Sequence, residues 1–412
     1  MSLSEKLTGL SLRENGPIAL VGIGHAATHW IGSTFYILLP YLSLSLGLGY
    51  AETGLLVSVI HTGSLLANFG SGPLVDMTGR RVFFQVLAVA VGATALAGLG
   101  GFGGMSGFDS MPWLICMVAI MGVTATLWHP PALSYLSERY PRTRGYAFSI
   151  RALGASLGDT VAPICAGLLL LSLDWRETAT AAAIPALCIA ALIALTIGPG
   201  ARRAATSGTR PGMGVRAYFG NLRDVLRDRV ILSICVMAGL RSMTQGGLTV
   251  FLPLYLVNVT GAGPAVLGAT MAALQAGGLI ATPLAGVWSD RIGRRPVVMA
   301  GLTASTFIIC SLGFLGGGIL FIAGISLLGF ALFAIRPVVQ SWMMDLTPPS
   351  MTGSATSLMF GTQSGFNILL PVIGGLVADA HGLTAVFYLL GATMLLSNAV
   401  VLFLPKEAPK PA

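Results

Sequence analysis

Charge is what this sequence has least of. Charged residues make up 9% of the 412, whereas a soluble domain carries about 25%. Hydrophobic residues make up 54%, and the mean hydropathy is +0.82. A chain with so few polar groups cannot cover a water-exposed surface. The composition therefore excludes an ordinary soluble protein and predicts that lipid is the surrounding solvent.

Signals for metal, redox or nucleotide chemistry are also scarce. The five cysteines lie in apolar stretches and form no C-x-x-C pair, so we interpret them as packing residues. No Gly-Lys dipeptide occurs, which excludes a Walker A lysine and an ATP-driven pump. Gly22, Gly24 and Ala27 fit the dinucleotide fingerprint G-x-G-x-x-A, but the next acid is Glu52 and no soluble βαβ pattern surrounds them. We predict that the protein is not an enzyme and uses no metal or cofactor.

Long apolar runs are what the sequence has in abundance. A membrane-spanning helix needs about 20 apolar residues, and twelve segments meet this requirement. They are residues 17–46, 52–75, 82–101, 111–137, 145–171, 177–197, 230–258, 264–288, 296–315, 319–343, 353–378 and 383–404. Because bare backbone groups find no partner in lipid, all twelve are predicted to be helices. The expected fold is an all-α membrane protein with twelve transmembrane helices.

The basic residues predict the orientation of these helices. If the N-terminus is cytoplasmic, 19 of the 23 Lys and Arg residues lie in cytoplasmic segments, and the external loops hold only Arg176. Positive residues favour the cytoplasmic side, so both termini are predicted to be cytoplasmic in a multi-pass protein of the cell inner membrane. Basic loops that face anionic lipid headgroups explain the net charge of +8 without nucleic acid.

The longest polar segment, residues 198–229, divides the spans six and six. We predict an N-terminal bundle over residues 1–197, a cytoplasmic linker over 198–229 and a C-terminal bundle over 230–412. Within the linker, "VRAYFGNLRDVLRD" is either an amphipathic helix on the membrane surface or plain solvated chain.

The two halves also repeat each other. "GPLVDMTGRR" (72–81) matches "GVWSDRIGRR" (286–295), and "LWHPPALSYLSE" (127–138) parallels "AIRPVVQSWMMD" (334–345). Asn367 stands in the second half where Asp159 stands in the first. These repeats predict two pseudo-symmetric six-helix bundles, which is a recurrent transporter architecture.

The pattern G-x-x-x-D-x-x-G-R-R, found after spans 2 and 8, resembles the loop signature of the major facilitator superfamily. The resemblance implies a conformational gating role for the loop residues, which would hold one conformation and not touch substrate. They are Gly72, Asp76, Gly79, Arg80 and Arg81 in the first copy, and Gly286, Asp290, Arg291, Gly293, Arg294 and Arg295 in the second. We expect the first glycine of each copy to allow close helix packing and the aspartates to pair with arginines.

Within the superfamily, the first half resembles the fosmidomycin-resistance group of exporters. The position of His25 in span 1, the sequence "WHPP" (128–131) and "RGYAFSIRALGASLGDTVAP" (144–163) carry this likeness. His29 and Pro131 stand where the group usually has acids. The small residues Gly154, Gly158 and Ala162 of span 5 also resemble an antiporter motif, although the same ridge would serve a tight helix contact.

Polar side chains inside the spans are the candidate binding residues, because an ionised group at the bilayer centre costs roughly 2.5–3.5 kcal/mol. The predicted substrate-binding set is His25, His29, His129, Arg151, Arg241, Gln245, Arg336, Gln340 and Asn367. The family resemblance implies that spans 1, 4, 7 and 10 line a central cavity. Three arginines against one carboxylate, Asp159, predict an anionic small-molecule substrate. Trp30, Tyr36, Trp128, Phe251 and Tyr255 are candidates to pack its apolar part.

Proton coupling requires a group that titrates. Asp159, His25 and His29 are the predicted coupling residues. The sequence therefore predicts a monomeric secondary transporter that exports a small anionic compound or drug against protons by alternating access. Two alternatives stay open: an uptake symporter or organic-anion exchanger on the same fold, and a membrane sensor or intramembrane enzyme that transports nothing.

Overall fold

The computed structural model describes residues 10–101, 111–198, 226–316, 318–347 and 352–404. These residues form thirteen α-helices and no strand. The helices are α1 (Leu12–Leu46), α2 (Tyr50–Thr78), α3 (Arg81–Gly98), α4 (Met111–Leu127), α5 (His129–Arg139), α6 (Arg144–Leu169), α7 (Trp175–Thr196), α8 (Arg229–Asn258), α9 (Pro264–Ile292), α10 (Arg294–Leu312), α11 (Ile319–Leu346), α12 (Thr352–His381) and α13 (Leu383–Leu402). The predicted all-helical fold is confirmed.

The helices account for the twelve predicted spans. Among the described residues, ten spans are long and apolar enough to cross a membrane, and one of these, Met111–Arg139, consists of α4 and α5. Helices α1 and α2 supply the other two spans with 35 and 29 residues, more than the about 20 that a crossing needs. Gly22, Gly24 and Ala27 lie inside α1, so the dinucleotide interpretation is excluded.

The fourth span is interrupted at Trp128, between α4 and α5. Pro130 and Pro131 follow immediately and have no backbone N–H to donate to the preceding turn. Proline is tolerated in the first turn of a helix, where these N–H groups have no helical partner anyway. The chain therefore ends one helix and begins another here, with the Trp128 ring completely buried at the junction.

Two compact units make up the chain. Unit 1 comprises residues 1–47 and 59–210, and unit 2 comprises residues 48–58 and 211–412. Helix α2 is thus divided, with its first turns in unit 2 and the remainder in unit 1. Most of the predicted linker, and of the segment proposed as an amphipathic helix within it, lies outside the described residues, which resume at residue 226.

Local signals in the sequence set several helix ends. Ser11 and Glu14 form a capping box at the start of α1, in which the Ser11 backbone N–H donates to Glu14 Oε2 at 2.8 Å. The Asp228 carboxylate accepts from the Val230 N–H at 2.8 Å and caps α8. Gly47 ends α1 with φ +66°, a left-handed conformation that glycine adopts without strain.

Candidate functional site

Small residues bring α1 and α6 into backbone contact within unit 1. A Cβ atom added to Gly154 would lie 2.0 Å from the Gly22 carbonyl oxygen, and one added to Gly158 would lie 2.3 Å from that of Ala26. Glycine is thus required at both positions for the helices to approach so closely. This contact fixes which side chains of the two helices face each other.

A titratable pair lies beside this helix contact. His29 Nδ1 of α1 is 2.9 Å from Asp159 Oδ2 of α6. Ser33, one turn after His29, donates its hydroxyl to Asp159 Oδ1 at 2.7 Å. The side chains of His29 and Asp159 retain 31% and 27% of their accessible surface, so the surrounding helices do not fully enclose the pair. Both partners were predicted from the sequence as coupling residues, whereas Ser33 was not predicted.

His25 has a different environment from His29. Its Nδ1 atom is 2.8 Å from the Arg151 carbonyl oxygen. A carbonyl can only accept, so Nδ1 carries the proton. The Arg151 guanidinium then donates to His25 Nε2 at 3.3 Å. With 3% of its surface exposed, His25 is a buried support for Arg151.

The predicted residues of the first and fourth spans lie together. The His25 ring centroid is 4.8 Å from that of His29 and 5.2 Å from that of His129, both in edge-on arrangements. Within the described residues, no three His, Cys, Asp or Glu side chains converge to hold a metal ion. Unit 1 therefore gathers His25, His29, His129, Arg151 and Asp159 into one polar cluster.

Unit 2 contains the predicted Arg241 and Gln245 as a contacting pair. Arg241 Nη1 donates to Gln245 Oε1 at 3.1 Å and to the Leu332 carbonyl at 3.4 Å. Only 3% of Arg241 is exposed, so its guanidinium ties α8 to α11. Arg336 of α11 is exposed, and Gln340 follows one turn later on the same face. Of these two arginines, Arg241 is buried and Arg336 is exposed.

Asn367 makes the unit 2 counterpart of the His29–Asp159 contact. Its Nδ2 atom donates to the Ser242 hydroxyl at 3.0 Å, which joins α12 to α8. Asn367 follows Asp159 by 208 residues; Ser242 follows His29 by 213, as Pro253 follows Pro40. The repeat thus has a titratable pair in unit 1 and a pair that does not titrate in unit 2.

The two Gly-Arg-Arg loops make corresponding ion pairs with different arginines. In unit 1, both terminal nitrogens of Arg81 donate to the carboxylate of Glu138 at the end of α5. In unit 2, Arg294 Nε donates to Asp345 of α11 at 3.0 Å, and its Nη1 atom donates to Asp290 and Ser289. Glu138 and Asp345 were missed, although each is the last residue of the matching repeats "LWHPPALSYLSE" and "AIRPVVQSWMMD".

The expected role of the first glycine in each loop motif is wrong. A Cβ atom on Gly72 or Gly286 would meet nothing within 4 Å, so neither allows a close helix contact. The glycines that the backbone requires are Gly79 and Gly293, with φ of +63° and +96°. Arg80 and Arg291 are exposed, Arg295 donates to the Leu402 carbonyl at 3.0 Å, and the Asp76 side chain lies outside the described residues.

A cavity of about 520 Å³ opens in unit 2 at the end that carries the Gly-Arg-Arg loop. Helix α11 contributes Pro337, Gln340, Ser341, Met344 and Asp345, and α12 contributes Thr356, Met359 and Phe360, with Arg294 at the rim. Among the aromatic residues expected to pack substrate, Trp128 and Phe251 have no exposed surface and Tyr255 is also buried. Those three rings pack the helix bundles, whereas Met344 and Phe360 line open space.

The fold and the site together define a class, the secondary transporters with twelve membrane-spanning helices in two repeated bundles. The profile of the Major Facilitator Superfamily matches residues 21–263 and 234–412. The chain therefore belongs to the Major Facilitator Superfamily. It is a multi-pass membrane transporter of small molecules and not an enzyme.

Curated relatives are similar over almost the whole chain. The chain is 25% identical over 406 residues to the multidrug efflux pump Tap of Mycolicibacterium fortuitum. This alignment covers 95% of this chain and 97% of the relative. It is 24% identical over 394 residues to the multidrug resistance protein MdtG of Klebsiella pneumoniae (strain 342), which covers 92% and 91% respectively.

Solved structures share the fold. A bacterial homolog to the human lysosomal transporter Spinster, in an inward-facing and occupied conformation, superposes with a TM-score of 0.78 at 17% identity, covering 95% of this chain and 96% of that chain. A mutant of the nucleoside transporter NupG superposes with a TM-score of 0.78 at 12% identity, covering 94% and 99%. At such identities the likeness concerns the fold alone.

Proposed function

We propose that this protein is a proton-coupled exporter of small anionic organic compounds, including drugs, that works by alternating access. It would act as a monomer in the cell inner membrane with both termini cytoplasmic, as the distribution of arginines favours. The relatives named for multidrug efflux and resistance support export, as does the resemblance of the first half to fosmidomycin-resistance exporters.

The observation that carries proton coupling is the contact of His29 with Asp159 at 2.9 Å. An imidazole and a carboxylate within membrane spans raise the free energy of insertion unless they are paired or hydrated, and such residues commonly mark ion or substrate pathways. This pair is partly exposed, so protons can reach it. Because both oxygens of Asp159 accept hydrogen bonds, one from His29 and one from Ser33, protonation of the carboxylate removes one acceptor.

Antiport requires that proton and substrate compete. A substrate that donates a hydrogen bond to the Asp159 carboxylate loses that acceptor when the carboxylate is protonated. A proton that arrives from the acidic side of the membrane would therefore weaken binding and promote release. The Gly-Arg-Arg loops would act as gates, with the ion pairs of Arg81 and Arg294 broken and remade as the protein changes conformation.

The anionic group of the substrate is assigned to the basic side chains. Arg336 is exposed on α11 and Gln340 shares its face, so together they offer a guanidinium and an amide to a carboxylate, phosphonate or sulfonate. Arg151, supported by His25, adds positive charge in unit 1. These groups distinguish an anion from a neutral or cationic compound.

A second candidate function, symport or exchange of an organic anion, is favoured by the cluster of three histidines centred on His25, which contacts Arg151. A proton bound there adds positive charge, which strengthens the binding of a purely anionic ligand. Proton and ligand would then travel together. The effect of pH on ligand binding therefore separates the two functions, because acid weakens binding in antiport and strengthens it in symport.

The test uses the purified full chain in proteoliposomes with an imposed pH gradient. Two fluorescent probes are compared: naphthalene-2-sulfonate, which is permanently anionic, and 6-hydroxynaphthalene-2-sulfonate, which adds one hydroxyl donor. We expect the pH gradient to drive transport of the hydroxylated probe, with flux opposite to the proton flow. Asp159→Asn should abolish driven transport and keep probe exchange without a gradient.

Asn367→Gln is the matched control, because it changes the corresponding amide of unit 2 and adds no titratable group. Driven flux that is unchanged in Asp159→Asn would rule out the coupling role. Flux in the same direction as the protons would favour symport, and failure of the wild-type protein to transport either probe would count against an anionic aromatic substrate.

A further inference from the structure

The face of α12 that carries Phe360, a cavity-lining residue, also carries polar residues. Successive residues of an α-helix are about 100° apart, so Thr356, Ser364 and Asn367 lie within about 40° of Phe360 around the helix. Leu369 and Leu376, which are strongly exposed, lie about 160–180° from Phe360 by the same geometry. Two faces of α12 are thus exposed, and only the face of the leucines has the composition of a lipid contact.

Helix α11 separates its exposed leucines from the cavity less sharply. Leu320 and Leu327 lie about 100–120° around the helix from Met344. Gln340 and Ser341, which line the cavity, lie within about 60° of Met344, whereas Asp345 lies at the same angle as Leu327. Exposed Met344 and Phe360 form an apolar wall of the cavity, beside the polar Gln340, Ser341 and Thr356.

The dimensions and chemistry of the cavity suit a small molecule. Pockets for small ligands measure about 300–1,000 Å³ and combine apolar walls with a few placed polar groups, and this cavity measures about 520 Å³. A methionine and a phenylalanine together adapt to flat apolar groups of different outline, since the thioether is flexible and polarisable. Gln340, one turn from Arg336, connects this wall with the basic position on the same helix.

The charges at the two ends of the groove differ. At the loop end, the Arg294 guanidinium that lines the cavity is already paired with Asp290 and Asp345, so this side chain is less available to an anion. Toward the middle of α11, Arg336 is exposed. An anionic amphipathic compound is therefore favoured with its acid group toward Arg336 and its apolar part over Met344 and Phe360.

We infer that the cavity between α11 and α12 is a substrate subsite that binds the aromatic part of an amphipathic anion. The inference rests on the proposed function and adds to it the substrate class, a compound with a flat apolar group close to its acid group. In the predicted orientation the cavity lies at the cytoplasmic end of unit 2, where an exported compound would first meet the protein. Phe360 and Met344 would then contribute to apparent affinity without taking part in proton coupling.

The first test is protection of a thiol in the cavity. The five native cysteines are replaced by alanine, and Met344→Cys is compared with Met77→Cys. Met77 is 84% exposed in the last turn of α2 in unit 1. At a naphthalene-2-sulfonate concentration of about ten times its Kd, alkylation of Met344→Cys by a water-soluble maleimide should slow by about tenfold. Alkylation of Met77→Cys should not change. Equal rates of Met344→Cys alkylation with and without the probe would overturn the subsite. Alkylation that is slowed by lipid in the absence of the probe would also overturn it.

The second test is kinetic. Phe360→Ala should raise the KM for naphthalene-2-sulfonate about fivefold to tenfold and leave kcat unchanged. A substrate contact that is equally strong in the ground state and the transition state affects only binding. Phe360→Tyr should restore the KM. Leu369→Ala, which truncates an exposed residue on the opposite face of the same helix, is the matched control and should leave the KM unchanged. A rise in KM that is equal in Phe360→Ala and Leu369→Ala would contradict the inference.

The two readouts separate failure of the subsite from failure of the proposed function. Transport of the probe without protection of Met344→Cys leaves the transporter proposal standing and overturns the subsite. Protection without any transport supports the subsite and counts against anion export. Absence of both overturns both.

Discussion

Asn367 and Ser242 hold α12 against α8 through a hydrogen bond of 3.0 Å, in the place where Asp159 and His29 hold α6 against α1. The two contacts join corresponding helices of the repeat, but only the contact in unit 1 is made by ionisable side chains. Unit 2 is therefore an internal reference for unit 1, and it supplies the controls for several of the following experiments.

Asn367→Asp should not rescue proton coupling in an Asp159→Asn background. The new carboxylate would face a serine hydroxyl, which supplies one donor and does not titrate, and it would lack the imidazole partner that Asp159 has. Flux driven by a pH gradient in proteoliposomes is the measurement. Recovery of driven flux would mean that a carboxylate in either unit suffices and that His29 is dispensable.

Gly154→Ala should destabilise the protein by about 1–3 kcal/mol, the usual cost of overpacking. The added methyl group would lie 2.0 Å from the backbone oxygen of Gly22, and a backbone cannot move aside as a flexible side chain can. Gly72→Ala is the control, because its methyl group would meet nothing within 4 Å. Thermal unfolding in detergent, followed by intrinsic fluorescence, should show a lower Tm for the first variant only; equal Tm values would contradict the close contact.

Arg241 and Arg336 should respond differently to truncation. Arg241→Ala removes a buried charged donor from Gln245 and from the Leu332 carbonyl, with an expected cost of about 1–3 kcal/mol. Arg336→Ala truncates an exposed residue and should change stability by less than about 0.5 kcal/mol while raising the KM for anionic probes. Unfolding and transport measured on the same preparations test this division, and a large loss of stability in Arg336→Ala would refute it.

Exchanging both charges of the Arg81–Glu138 pair should restore the transport rate that either single charge reversal lowers. Arg81→Glu would set two acids against each other, and Glu138→Arg would do the same with two cations, so each should slow transport. The double variant regains an ion pair. Because the partners are 27% and 60% exposed, stability should change by less than about 1 kcal/mol. A double variant as slow as the single ones would argue against gating by this contact.

Much of the fold was predictable because lipid allows few solutions. Apolar length identified the twelve spans, and the matching segments around the Gly-Arg-Arg loops and in spans 4 and 10 identified the repeat. The break at Trp128 was not predicted, because the proline pair sits in a run whose composition still reads as one continuous span. Composition reports whether a segment can cross a membrane and carries little information on local backbone geometry.

The candidate site was predictable in its residue types and not in its contacts. His29, Asp159, Arg241 and Gln245 were recognised because polar groups in lipid are costly. Whether an arginine faces a ligand or a carbonyl depends on helix rotation, so Arg241 and Arg336 could not be distinguished by their residue type and span. Met344 and Phe360 gave no signal, because an apolar residue in an apolar helix has the same letter whether it touches lipid or lines a cavity.

The cavity between α11 and α12 shares no residue with the titratable pair on α1 and α6. The range of compounds that the cavity binds can therefore change under selection without a change in the proposed coupling to protons. Serial passage against a new compound should enrich changes at the cavity wall first, and such variants should inherit the ancestral proton stoichiometry unaltered.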